Sequence, residues 1–542
     1  MSFSYQTATS TENFINSLGV NTHIDFSSYS NISAVENAIN YLGIKNLRDS
    51  ANSPKDLGAN GLWQQVANAT GAKFDAFATE GSIAKMEASF NNGVTLAKQG
   101  IVNFLEGGNE EDQSYAVSLG NSLASTAAFQ KSLYTTAHSL GVSVINMSFG
   151  VGWASSTTGD YGKVGDLSAY ADYGNAHTYP GTANAPYTAI NALNSDAKLA
   201  DSSDPVITTE FGYYTDGSTT DHSSVSQSAQ AKYLLDGLMD AYAAGDAKTY
   251  LYELLDEGGQ TGNMEANFGL FTSSGAPKLA ATAIHNLTTL LADNGGSFTP
   301  GTLGYSLSGT LSTDHSLLME KSDGSFWLTL WNEARVQSAT SNTAISVANH
   351  TVTLSLASAA AKVEVFDPLT GTSAIQTASN TGTVSISLPD HPILVEIIGS
   401  SSTSSSSGST TSSGGTPSST GTSNPAAVST DLAVTLPAAP HITHGTTAAI
   451  TGLTVSDAWA ASHAGNMAMT LTDSTGTLEM SNGSSTLSGH SIHVAGSLAQ
   501  LNADLATLHY AATSVVGTDH ISVSVYNQSG YSVAHSLAVG II

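Results

Sequence analysis

The sequence predicts an α/β chain whose largest part is a (β/α)8 TIM barrel. Eight short apolar segments alternate with amphipathic segments before residue 296, as parallel strands alternate with helices in such a barrel. The competing interpretation is a doubly wound open sheet. That fold usually carries a glycine-rich turn after its first strand, and the sequence has none. The predicted strands are 19–24, 44–49, 73–78, 102–107, 142–147, 172–179, 205–211 and 249–255.

A change of hydrophobic period marks the end of the barrel. Residues 1–295 are assigned to it, and in 296–399 apolar residues alternate with Ser and Thr, as at Val352, Leu354 and Leu356. A period of two is typical of half-buried strands. The sequence therefore predicts a β-sandwich accessory domain over 296–399.

A low-complexity tract separates this part from a C-terminal module. Residues 400–423 are all Ser, Thr, Gly or Pro, a composition that cannot bury a core, so 400–425 is predicted to be a linker. Residues 426–542 alternate in polarity apart from one helical patch at 498–508. A small, mainly β module is expected there.

Composition limits the partners of the protein. The 542 residues include 15 Lys and Arg against 43 Asp and Glu, a net charge of −28, which disfavours nucleic acid and anionic membranes. There is no cysteine and no apolar run long enough for a membrane span. A surface rich in Ser, Thr, Asn and Gly favours a secreted or cell-surface bacterial protein, although residues 1–14 carry no visible export signal.

Functional side chains of (β/α)8 barrels lie at the carboxyl ends of the strands. Glu110 follows the fourth predicted strand and Glu210 ends the seventh, while His177 and Tyr179 lie at the sixth and Arg48 at the second. Two carboxylates facing each other across a barrel mouth can cleave a glycosidic bond. A separation of about 5–5.5 Å gives retention of configuration and about 6.5–9.5 Å gives inversion.

Neither a zinc motif of the form His-Glu-x-x-His nor a Gly-x-Ser-x-Gly elbow occurs. No metal and no cofactor is therefore expected.

The order of these motifs resembles the clan A (β/α)8 retaining glycoside hydrolases, with family 39, which includes xylosidases and exopolysaccharide glycosidases, as the most similar. The resemblance rests on Asn109-Glu110, His177-x-Tyr179, Glu210 and Arg48, and covers roughly residues 18–399. It implies that Glu110 is the acid/base, that Glu210 is the nucleophile, and that Arg48 keeps Glu210 ionised. Arg48, Asn109 and Tyr179 are also implied to belong to the substrate-binding site, and His177 is implied to bind substrate or to hold Glu210.

Two positions depart from the clan pattern. Glu111 stands where the clan often has Pro, which makes it a rival to Glu110, and Tyr252-Glu253 stands where the clan often has Trp. Glu111 is expected to point away from Glu210. If it points inward, the acid/base role passes to it.

Several further residues are candidates for substrate binding, and for most of them a structural role is an equal alternative. Glu253, Asp256 and Glu257 crowd the end of the eighth strand, and at least one is expected to bind sugar hydroxyls. His23 and Asp25 contact the sugar or only pack a loop. Trp153 is a sugar-stacking platform or a packed loop residue. Glu106 either pairs with Arg48 or faces outward.

The predicted function is a retaining glycoside hydrolase acting on a polysaccharide or oligosaccharide. The alternatives are a non-catalytic carbohydrate-binding protein on a decayed barrel and a transglycosylase with the same two glutamates. The C-terminal module resembles cadherin-like or immunoglobulin-like repeats through 498–525. It is a spacer or a carbohydrate-binding module, with Trp459, Tyr510 and Tyr526 as candidate contacts, and the oligomeric state stays open.

Overall fold

The computed structural model divides the chain into two compact units, residues 1–405 and 406–542. The predicted linker at 400–425 lies outside the described residues. The structure describes residues 3–113, 118–150, 160–217, 224–258, 262–293, 295, 298–341, 343–399, 432–437, 439–457, 466–473, 475–482, 485–489, 491–526 and 532–542.

Eight parallel strands form the barrel of the first unit, which confirms the predicted fold class. Each strand pairs with the next in the chain, β8 pairs with β1, and a bridge between Ile145 and Tyr173 closes the ring between β5 and β6. The strands are β1 Leu18–Asn21, β2 Asn46–Asp49, β3 Lys73–Ala78, β4 Val102–Gly108, β5 Ser143–Ile145, β6 Gly174–Thr178, β7 Val206–Phe211 and β8 Lys248–Leu251.

Helices surround the barrel, and the helix Gln227–Ala244 is buried on most of its surface because it lies between the barrel and the accessory domain. In the helix before β8, Leu234, Leu238 and Ala241 are buried, and Gly245 ends the helix in the left-handed conformation, with φ of 94°, that suits glycine. The α-helices are Thr11–Ser17, Ile32–Leu42, Leu62–Thr70, Ile83–Lys98, Leu123–Ser139, Asp160–Val164, Tyr187–Ala200, Gln227–Ala244 and Leu279–Leu291. Short 3₁₀ turns are Ser27–Ser30, Pro54–Asp56, Ser168–Tyr170, Gly181–Ala183 and Glu265–Asn267.

The accessory domain is one hydrogen-bonded sheet of eight strands, and two of them come from the start of the chain. Ser4–Thr7 pairs antiparallel with Thr302–Ser308, and Thr9–Ser10 pairs with Asp314–Glu320. The domain therefore includes residues that the sequence assigned to the barrel. The other strands are Phe326–Asn332, His350–Phe366, Ala374–Leu388 and Ile393–Gly399.

Alternation along one strand of this sheet separates two cores. In Phe326–Asn332, Leu328 and Leu330 point into the core of the accessory domain, whereas Trp327 and Trp331 join the core of the barrel. Trp331 Nε1 also donates to Asp240 Oδ1 on the helix Gln227–Ala244 at 2.9 Å. Barrel and accessory domain thus share one continuous apolar interface.

The C-terminal unit is mainly β, as predicted, with one helix, Leu498–Leu505. Its five-stranded and four-stranded sheets share a core in which Tyr510 is fully buried, so Tyr510 has no free face for a sugar. Trp459 and the side chain of Tyr526 lie outside the description. The strands are Ala433–Thr435, His441–Ile442, Thr447–Ala449, Thr454–Ser456, Asn466–Thr472, Thr477–Asn482, Ser485–Gly489, Ser491–Ser497, His509–Ala511, Gly517–Tyr526 and Ser532–Ile541.

Across the part of the chain that the structure describes, every helix is too short or too polar to cross a membrane.

Candidate active site

Glu210 lies at the carboxyl end of β7 and is buried. Arg48 Nη1 donates to its Oε1 at 2.7 Å, and the Tyr179 hydroxyl donates to its Oε2 at 2.5 Å. Burial raises the pKa of Glu210, but His177, Arg48 and the hydrogen bond from Tyr179 outweigh burial and lower it below its ordinary value. Glu210 is therefore ionised at neutral pH.

Arg48 is held from several sides inside the barrel. Its Nε and Nη2 donate to the two oxygens of Glu106 at 2.7 and 2.8 Å, and Nη2 also donates to Asn109 Oδ1 at 2.7 Å. Asn21 Oδ1 accepts from Nη1 at 2.9 Å. Glu106 is fully buried and forms an ion pair with Arg48, so it does not face outward. These bonds fix the guanidinium that faces Glu210.

Glu110 follows β4 in a backbone conformation that is unusual for a residue with a side chain. Its φ is 49°, and its backbone N–H donates to Ser148 Oγ at 3.1 Å. Left-handed residues other than glycine cost on the order of 1–3 kcal/mol and concentrate at functional sites. A Cβ on Gly150 would approach the Glu110 carboxyl to 2.7 Å, so glycine at 150 leaves room for this carboxylate.

His177 joins the two glutamates. Its Nδ1 lies 2.8 Å from Glu110 Oε1 and 3.4 Å from Glu210 Oε2. Burial lowers the pKa of His177, but Glu210 and Glu110 together raise it above its ordinary value. One carboxylate oxygen of each glutamate and a ring nitrogen of His177 lie within 4.8 Å of one another. The sequence-predicted residues Arg48, Asn109, Glu110, His177, Tyr179 and Glu210 are thus brought together at one end of the barrel.

A cavity of about 300 Å³ opens above these groups. It includes two glutamates that the sequence analysis did not single out, Glu80 and Glu265. Burial and the nearby Glu210 and Glu110 raise the pKa of Glu265 to about 7. The lining residues are Glu80, Asn109, Glu110, Gln113, Gly150, His177, Tyr179, Leu193, Glu210, Tyr252, Met264, Glu265 and Phe268.

The two missed glutamates differ in how far the sequence could have revealed them. Glu80 follows the end of β3 by two residues, so inspection of every predicted strand end would have found it. Glu265 starts a short 3₁₀ turn far from any strand end, and no sequence pattern marks it.

The residues after β8 differ in where their side chains lie relative to the cavity. Tyr252 lines the cavity, whereas the Glu253 carboxylate is fully buried away from it, accepts a hydrogen bond from the Tyr29 hydroxyl at 2.8 Å, and lies 3.3 Å from His23 Nε2. His23 is also outside the set of residues that line the cavity. Burial lowers the pKa of His23, but the nearby carboxylates outweigh burial. Glu253, with Asp49 and Glu257, raises the pKa of His23 to about 9.

Three other candidates also lie away from the cavity. Asp256 is buried in an ion pair with Lys278 at 3.1 Å, and Asp25 pairs with Lys55 at 2.9 Å. Glu111 is buried and accepts a hydrogen bond from the Asn121 amide, so it does not reach Glu210. Trp153 lies outside the described residues.

Comparison with known proteins places this fold among glycoside hydrolase structures. A family 39 glycoside hydrolase from Bacteroides cellulosilyticus WH2 matches over 71% of this chain and 82% of its own, with 14% identity and a TM-score of 0.51. This likeness shows that the two chains share a fold over most of their lengths.

Two further structures give lower scores. A glucosidase from Croceicoccus marinus matches over 71% of this chain and 96% of its own, with 12% identity and a TM-score of 0.48. A family 39 β-xylosidase from Caulobacter crescentus matches over 73% and 98%, with 12% identity and a TM-score of 0.46. No protein-family model matches the chain, and no curated protein does.

Proposed function

We propose that this protein is a retaining glycoside hydrolase in which Glu110 is the acid/base and Glu210 the nucleophile. The observation that carries the proposal is the approach of their carboxylate oxygens to within 4.8 Å at the ends of β4 and β7. A short gap leaves no room for a water between nucleophile and sugar and favours the double-displacement mechanism over inversion.

In the first step Glu210 attacks the anomeric carbon while Glu110 gives its proton to the leaving glycosidic oxygen. Arg48 and Tyr179 keep Glu210 ionised and aimed, so the lone pair is available without a prior proton transfer. The bond from the anomeric carbon to the leaving oxygen breaks as the bond to Glu210 forms.

In the second step Glu110, now ionised, takes a proton from a water molecule that attacks the same carbon. The bond to Glu210 breaks, and the sugar leaves with its original anomeric configuration. His177 Nδ1, within reach of both carboxylates, stabilises whichever one carries the negative charge at each stage.

Variants of the two glutamates test this mechanism. Glu210→Ala should abolish turnover of every substrate. Glu110→Ala should lower turnover by roughly 10²–10⁴-fold on aryl glycosides with poor leaving groups, and far less on dinitrophenyl glycosides, which need no proton. Added azide should rescue Glu110→Ala and, on a β-glycoside, give the β-glycosyl azide.

Glu111→Gln is the matched control, because Glu111 is adjacent in sequence but bound to Asn121 instead of Glu210. It should show no dependence on the leaving group beyond that of the unmodified protein. An equal loss on good and poor leaving groups in Glu110→Ala, without azide rescue, would remove Glu110 from the acid/base role. An inverted product by NMR would refute retention.

The proposed substrate is a polysaccharide or its oligomers, cleaved outside the cell or at its surface. The chemistry needs two carboxylates and water, and no cofactor. A screen of aryl glycosides and bacterial exopolysaccharides identifies the sugar. Product analysis in the same screen distinguishes hydrolysis from transfer to a sugar acceptor, and glycan binding without turnover would favour the non-catalytic alternative.

A further inference from the structure

A second group of ionisable side chains lies behind the cavity wall. His23 follows β1, and Glu253 and Glu257 follow β8, the strand that pairs with β1. We call these three residues the rear cluster. One ligand atom from each, a ring nitrogen of His23 and a carboxylate oxygen of each glutamate, lies within 4.8 Å of the others.

The Glu253 carboxylate lacks a partner that its burial requires. Its Oε2 faces Tyr29 and His23, but its Oε1 is buried and has no hydrogen-bond partner among the residues described. Over the described parts of the chain, neither Glu253 nor Glu257 forms an ion pair with Lys or Arg, and Lys278 pairs with Asp256 instead. Buried carboxylate oxygens without a donor are costly and commonly mark a bound ion or water.

The geometry of the rear cluster suits a small divalent cation. His23 Nε2 and Glu253 Oε2 are 3.3 Å apart. Two ligands of a tetrahedral ion with bonds of about 2.0–2.2 Å lie ~3.3–3.6 Å apart, so this pair needs almost no rearrangement. One imidazole and two carboxylates are a zinc-type ligand set, whereas calcium takes six to eight oxygen ligands.

We propose that His23, Glu253 and Glu257 bind a divalent transition-metal ion of the Zn²⁺ type. The two carboxylates offset the charge of the ion, and a water fills its fourth position. Tyr29, which donates to Glu253, orients the ligand from behind, as outer partners do in metal sites. The proposal stands on contacts outside the cavity and does not depend on the proposed hydrolase activity.

The rear cluster differs from the other group with a comparable arrangement, Glu110, His177 and Glu210. There Arg48 already supplies a positive charge to Glu210, and Tyr179 occupies its second oxygen. Among the described residues, no Lys or Arg pairs with Glu253 or Glu257 of the rear cluster, and the imidazole of His23, which faces Glu253, can exchange its proton for a metal ion. An ion in it would also fix the cavity wall, because the His23 ring packs edge-on against Tyr252 at 5.7 Å between ring centroids.

Zinc binding to the full chain tests the proposal. After treatment with a chelator and its removal, calorimetric titration with Zn²⁺ should show saturable binding of one ion, and the melting temperature should rise. The separate variants His23→Gln and Glu257→Gln should each weaken binding at least tenfold. Because Glu253 is fully buried, these two positions are preferred to a Glu253 substitution, and circular dichroism verifies that they fold.

His138→Gln is the matched control. His138 forms an exposed pair with Asp172, with Nε2 3.0 Å from Oδ2, so it reports adventitious binding at a surface histidine and should leave the affinity unchanged. Crystals soaked in Zn²⁺ should show an anomalous peak between His23 and Glu257. Absence of stoichiometric binding, equal affinity in folded His23→Gln and Glu257→Gln, or a peak only elsewhere would each overturn the proposal.

Discussion

Glu210 keeps its negative charge in a buried position because its neighbours are fixed before any substrate arrives. Arg48 cannot turn away from Glu210 without breaking its bonds to Glu106 and Asn109. Tyr179, the residue after β6, donates to the other carboxylate oxygen of Glu210. A preorganised environment of this kind stabilises charge without the reorganisation that water would require.

The hydrogen bond from Tyr179 should be visible in the pH profile. Tyr179→Phe removes a donor that lowers the pKa of Glu210, so that pKa should rise. Because Glu210 must be ionised to react, the acid limb of kcat/KM should move to higher pH. At pH 7 the loss should be modest, since Arg48 still favours the ionised form. The measurement is the pH dependence of kcat/KM on a dinitrophenyl glycoside.

The exposed Tyr187 offers a control for the same substitution type. Tyr187→Phe should leave the acid limb where it is. An acid limb that stays in place, or moves to lower pH, in Tyr179→Phe would show that the tyrosine does not stabilise the ionised carboxylate.

For single residues, the sequence predicts the position of a side chain when that residue lies in a regular strand. Arg48, His177 and Glu210 lie within strands, so strand periodicity and strand ends place them at one rim. After β8 the chain is irregular, and no periodicity tells which of Tyr252 and Glu253 faces the cavity. The direction of a side chain therefore follows from strand periodicity at Arg48, His177 and Glu210, and from the path of the loop at Tyr252 and Glu253.

At the scale of elements, a strand can be predicted from the sequence when it is buried, because burial requires a recognisable pattern of apolar residues. Barrel strands are buried on both faces, and the predicted 73–78 and 205–211 agree with β3 and β7 to within one residue. The strand Ser4–Thr7 is exposed along its length, and only its partner Thr302–Ser308 makes it a strand. Nothing in its own four residues indicates that pairing.

The contact between the accessory sheet and the barrel helix Gln227–Ala244 gives a stability prediction. Trp331 is buried in the barrel core and its Nε1 donates to Asp240. Trp331→Ala should lower the free energy of unfolding by about 3–5 kcal/mol, through lost packing and a cavity. Urea denaturation of the fragment 1–399 measures it. Leu311→Ala, at an exposed position, should change stability little. A comparable loss in Leu311→Ala would show that the effect of Trp331→Ala does not come from the interface between the accessory sheet and the barrel.

At the scale of the whole molecule, truncation separates the parts that the active site needs. A chain ending near residue 399 keeps the barrel, its accessory sheet and every residue of the cavity. It should fold and retain its turnover of small soluble glycosides. A chain ending near residue 295 loses the partners of Ser4–Thr7 and exposes the barrel surface under Trp327 and Trp331, so it should be insoluble or unstable.

Aryl-glycoside turnover and the melting temperature, measured for both fragments, test these predictions. Unfolding of the longer fragment, or full stability and activity of the shorter one, would contradict these boundaries. Activity lost only on an insoluble polymer in the longer fragment would instead assign glycan binding to the C-terminal unit, through lost local concentration.

The pairing of Ser4–Thr7 with residues 302–305 also sets a schedule for biosynthesis. The strand leaves the ribosome before the barrel, and its partner follows only after the entire barrel has been translated. At roughly 5–20 residues per second, that interval is on the order of 15–60 s. During it the barrel can close, while its leading segment stays without a partner strand and open to chaperones or proteases. The last step of assembly would then join the two ends of the first unit.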